Sequence, residues 1–146
     1  SGDWSSDVCS SDLLSRSTLV WRDGKYTTAV VIASNKVLRE RPELVKKWLE
    51  AHVDLTERIN RDKEGGKAAI NNQIEKLTRE RIPDDVLDSA FERLVITYDP
   101  ETESIEEFAK LSCDYGYLKE QPDLSNLVNT ELLNQVLQAK GLPPVQ

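Results

Sequence analysis

The side chains able to do chemistry are few and scattered. His52 is the one histidine. It stands inside an apolar helical stripe with no cysteine or second histidine at metal-ligand spacing, so it reads as a packed residue rather than a base or a zinc ligand. Cys113 falls mid-helix with no histidine close in sequence, which suits packing better than nucleophilic work. Asp84-Asp85 and Glu106-Glu107 are adjacent carboxylates, but each pair is read into a helix's first turn, where the dipole already accounts for it. Gly65-Gly66 lacks the pattern of a phosphate cradle and reads as a helix break. No catalytic set is expected, and no metal or cofactor. What remains is Thr27 and Thr28, which enter an apolar strand after a loop. Hydroxyls placed there can point into a cleft and donate to an anion without carrying a full charge; the plainer reading is that of ordinary strand threonines. Thr97 and Tyr98, just before the Asp99-Pro100 turn, share that ambiguity.

The elements that must position these groups follow from composition and spacing. Tyr26 to Ala33 is rich in β-branched residues, with no glycine or proline, and its apolar second half predicts a strand buried on both faces, as in a parallel or mixed sheet. Ser34 predicts the N-cap of a short helix, Asn35 to Arg41, that stops before Pro42. Leu44, Val45, Trp48, Leu49, His52, Leu55 and Ile59 recur at helical spacing over Pro42 to about Arg61. A third helix is expected from about Lys67 to Arg79, and a fourth opens at Pro83-Asp84-Asp85 with the stripe Val86, Leu87, Ala90, Phe91 and Leu94. Val95 to Tyr98 has strand composition. A fifth helix is read from about Ser104 to Tyr117. Asn129 or Thr130 caps a last helix with the stripe Leu132, Leu133, Val136 and Leu137, and Gly141 stands where its C-terminal stop belongs. The order β-α-α-α-α-β-α-α predicts an α/β, helix-rich chain with an incomplete sheet, because two short strands do not satisfy a sheet alone.

Residues 1–13 stand apart. They hold five serines, four of them in two Ser-Ser-Asp repeats, with three aspartates and no base, and show no helical or strand period. Asp3 to Leu13 resembles a common sequencing adapter translated in one frame, so these residues are set aside and a fold is expected only of residues 14–146. The remainder carries 19 basic and 23 acidic side chains, with Cys113 as its one cysteine, so no disulfide within it is expected. On this reading residues 14–146 are the C-terminal part of a longer protein. The acidic balance argues against nucleic acid, since phosphates call for a basic surface. The apolar run Ala29 to Ala33 is far short of the roughly 20 residues a membrane helix needs.

Residues 19–140 resemble the C-terminal part of the substrate-binding proteins of ABC importers for aliphatic sulfonates, taurine and nitrate. The residues that carry the likeness are, in order, Tyr26 to Ile32, Leu38 to Val53, Ile59-Asn60, Ala68 to Thr78, Ile82 to Leu87, Val95 to Pro100, Tyr115 to Leu118, Pro122 to Leu124 and Leu132 to Asn134. The likeness lies in order and spacing rather than in any one motif. It implies a two-lobed periplasmic-binding-protein fold of type II. Tyr26 to Ala33 would be the last return strand, the helices would pad the first lobe, and Val95 to Tyr98 would lie near the hinge. It also implies a periplasmic or lipid-anchored extracellular monomer. That protein would close on a small anionic solute and dock on an ABC permease, and most of its cleft residues would precede this stretch. The rival expectation is a free-standing α-helical interaction or regulatory module. It predicts helices without a strand pair.

Overall fold

A computed structural model describes residues 25–145. Its regular structure is six helices: α1 Asn35–Glu40, α2 Pro42–Arg61, α3 Lys63–Thr78, α4 Asp84–Arg93, α5 Thr102–Asp114 and α6 Glu131–Ala139. The expected α/β class is therefore corrected, because no strand and no sheet occur among the described residues. Tyr26 to Ala33 and Val95 to Tyr98 have strand composition, but a strand exists only as one side of a hydrogen-bonded ladder, and neither segment has one. The return strand and hinge strand of a type II binding-protein fold are thus not formed. Residues 1–13, set aside as adapter-like, lie outside the described residues.

The chain divides into two compact units. The larger comprises Ala33–Asp99 and Thr130–Val145. Here the Ser34 hydroxyl accepts the Val37 N–H at 3.3 Å and caps α1 as expected. Pro42 opens α2, where its missing N–H costs nothing. The break after α2 falls at Asp62, not at Gly65-Gly66. The Asp62 carboxylate accepts the Gly65 N–H at 2.9 Å, and both glycines sit in the first turns of α3. Gly66 is buried there because a Cβ would lie 2.9 Å from Ile59 Cγ2 and 3.3 Å from Ile59 Cα. The glycine marks a close approach of α3 to α2 rather than a helix break.

The core of this unit is Val53 from α2 with Leu133, Val136 and Leu137 from α6, flanked by Leu49, Tyr98, Leu142 and Val145. Helix α6 ends in a Schellman cap at the glycine the sequence marks. Gly141 adopts φ 70°, the Leu142 N–H donates to the Leu137 carbonyl at 2.9 Å, and the Gly141 N–H donates to the Gln138 carbonyl at 3.1 Å. Two asparagines then tie down the chain beyond their own helices. Asn71, fully buried in α3, donates from Nδ2 to the Ile82 carbonyl at 2.8 Å and accepts the Ile82 N–H on Oδ1 at 3.0 Å. Asn134 in α6 treats Val145 the same way, at 3.0 and 2.9 Å.

The smaller unit joins the described residues up to Ile32 with Pro100–Asn129. Its one helix, α5, starts earlier and stops sooner than the stretch Ser104 to Tyr117 read from sequence. Gly116 takes φ 77°, and the Tyr117 and Leu118 amides turn back onto the Ser112 carbonyl at 2.8 and 3.0 Å. No helix among the described residues is long and apolar enough to cross a membrane.

Candidate functional site

Thr27 is placed by α5. Its N–H donates to the Ser104 hydroxyl at 2.9 Å, and its own hydroxyl donates to the Pro100 carbonyl at 2.9 Å. The donor expected to face an anion is thus engaged by the chain's own backbone. Thr27 is half-buried, and Thr28 beside it is exposed. Thr97 accepts the Asp99 N–H on its hydroxyl at 2.9 Å, which makes it a local turn former. Tyr98 lies against the larger unit's core, and its hydroxyl pKa is pushed up, first by burial and then by the Glu57 carboxylate it is bonded to.

Ser104 and Lys25 open onto a broad depression of about 550 Å³ on the face of α5. Its charged lining is Glu101, Glu103, Glu106 and Glu107 against Lys25 and Lys110. Among these lining groups the carboxylates outnumber the ammonium groups. Lys25 Nζ lies 4.0 Å from Glu101 Oε1 with both side chains partly exposed, a contact worth little by itself. Sequence reasoning did not single out this face. Its signal was the spacing of Glu103, Glu106, Glu107 and Lys110, which reads equally well as a solvated helix surface. The Glu106-Glu107 pair falls in the second turn of α5, and Glu103 is the acid of the first turn. The dipole account given for that pair is therefore corrected. For Asp84-Asp85, at the start of α4, it stands.

His52 stacks on Trp48 within α2, with ring centroids 5.1 Å apart and planes 20° from parallel. Burial lowers its pKa below the ordinary imidazole value, which favours the neutral ring. Cys113 is a half-buried free thiol in α5. Lys67 in α3 holds Asp88 of α4 and Glu64 of its own helix; the Asp88 bond, then the Glu64 bond, raises its pKa. Among the described residues no cluster of three or more histidine, cysteine, aspartate or glutamate side chains is arranged to hold a metal ion. No family model, curated protein or solved structure matches the chain.

Proposed function

We propose that this chain is part of a solute-binding protein serving ABC-type import, and that the helices described above contribute scaffold rather than the solute site. The ordered likeness of residues 19–140 to sulfonate, taurine and nitrate binders supports the class. The structural observation that supports the scaffold role is the exposure of apolar side chains that α-helical stripes normally bury. Leu44, Trp48 and Leu55 on α2, Val86 on α4, Phe108 on α5 and the consecutive Val30, Val31 and Ile32 all stand exposed. A surface of that kind calls for a cover. On this reading the cover is the rest of the same protein, which also supplies the groups that hold the anion. The solute is a small sulfonate-like or nitrate-like anion. The protein works outside the cytoplasmic membrane, hands its cargo to a permease and makes or breaks no bond. Closure on the solute follows from tighter binding to the closed state.

The test is a calorimetric titration of a longer protein that contains residues 14–146, with taurine, a short alkanesulfonate and nitrate. Micromolar binding of one of them is expected; failure of all three overturns the assignment. A second reading, a helical interaction module, is favoured by one observation: the larger unit builds its core from helices and turns alone. It predicts no solute binding and a stoichiometric protein complex.

A further inference from the structure

We propose that Leu142–Val145 occupy a peptide seat on the α2–α6 pair, and that this seat accepts an extended peptide carrying two apolar side chains separated by two prolines. The seat has two parts. Its apolar floor is Val53, Leu133, Val136 and Leu137, onto which Leu142 and Val145 pack. Its polar part is the Asn134 carboxamide, whose Nδ2 donates to the Val145 carbonyl at 3.0 Å and whose Oδ1 accepts the Val145 N–H at 2.9 Å. A carboxamide used this way reads the donor and acceptor of one extended residue, as an added strand would, and places no demand on side-chain identity.

Pro143 and Pro144 suit the span between the two anchors. They lack N–H groups that would need a partner, and they hold the chain extended at little entropic cost. The turn that feeds the segment shares only Leu142 with the seat. Gly141 at φ 70° and the Leu142 N–H bonded to the Leu137 carbonyl belong to the cap of α6, so Val145 can leave without unwinding the helix. The segment is thus a strap held at its far end by one side chain and one apolar contact. Tethering gives it an effective concentration on the order of millimolar, so a competing peptide of submillimolar affinity is weakened several-fold until the strap is released or removed.

Two measurements test this. A fluorescein-labelled peptide of sequence Leu-Pro-Pro-Val-Gln is titrated against the chain ending at Gly141 and against the intact chain, with anisotropy as readout. Submillimolar binding to the shortened chain is expected, weakened about tenfold or more by Asn134→Leu through loss of the paired hydrogen bonds, and weakened several-fold in the intact chain, where the strap competes. No binding to a shortened chain that keeps its helical circular dichroism overturns the proposal. The second measurement needs no truncation. In the full chain, Asn134→Leu and, separately, Val145→Asp should speed hydrogen exchange of the backbone amide at position 145 about tenfold while the Val136 and Leu137 amides keep their protection. Loss of all three together overturns it, because the strap would then not be separable from the core.

Discussion

At the scale of single residues, the polar groups in the larger unit do structural work. Asn71 is fully buried, and both of its side-chain polar atoms are bonded to Ile82, the residue that leads the chain from α3 into α4. Asn71→Leu keeps the volume and removes two hydrogen bonds, which should cost about 2 kcal/mol in urea denaturation. Asn71→Asp should cost more at neutral pH, because a carboxylate oxygen would then face the Ile82 carbonyl that the amide now serves. His52 gives a pH dependence of defined sign. Its pKa is lowered by burial, so the unfolded chain binds more protons than the folded one below the ordinary imidazole value of about 6.5. The stability associated with a neutral His52 is present above about pH 6.5 and is lost as pH falls through the folded value. Urea midpoints at pH 7.5 and 5.5 should differ in the wild type and differ less in His52→Gln. That window lies above the ordinary carboxylate range, so the contrast isolates the imidazole.

At the scale of elements, the helices were legible and the strands were not, for one physical reason. A helix satisfies its hydrogen bonds within itself, so Ser34, Pro42, the stripe of α2, the acids at the start of α4 and Gly141 all signal it locally. Strand composition at Tyr26 to Ala33 states only that the segment would suit a pleated surface; a ladder needs a second segment, and no local feature of the sequence supplies one. The same limit hid the two asparagine ties, whose partners lie eleven residues further on. It also hid the acidic face of α5, whose pattern matches any solvated helix. Gly65-Gly66 was misread because glycine signals a break and a close approach alike. The two meanings separate experimentally. Gly66→Ala drives a Cβ against the Ile59 side chain at Cγ2 and close to its Cα, and unfolding midpoints should show a loss of about 1–3 kcal/mol, with α3 pushed off α2. Gly65→Ala meets only the Asp62 side chain, so it displaces the cap, costs about 1 kcal/mol from that, and recovers part of it through better helix propensity.

At the scale of the whole molecule, the question is what the exposed apolar residues are for. The larger unit buries Val53, Val136 and Leu137 almost completely yet leaves Leu77 76% exposed, and in the smaller unit Ile32 is 88% exposed and Phe108 62%. On α2 the buried side chains are Val53 and Thr56, while Leu55 and Trp48 stand on other sides of the helix and are exposed, so its apolar surface is wider than the partner that covers it. If these residues are scaffold for absent parts of a binding protein, the chain alone should bind an apolar dye such as anilinonaphthalene sulfonate while keeping its helical circular dichroism. Substituting Val30→Ser, Val31→Asp and Ile32→Lys together should then lower dye binding and raise solubility, while each single change shifts the urea midpoint by no more than about 0.5 kcal/mol equivalent, because none of the three leaves a buried site. A loss of several kcal/mol would instead mean that Val30 to Ile32 already pack against something in the isolated chain. Titrating the same chain with taurine or an alkanesulfonate should release no heat, since the Thr27 hydroxyl is engaged by the Pro100 carbonyl and, on the reading proposed above, the groups that hold the anion lie outside these residues. Micromolar affinity in that titration would move the solute site into these residues and end the division between scaffold and cleft.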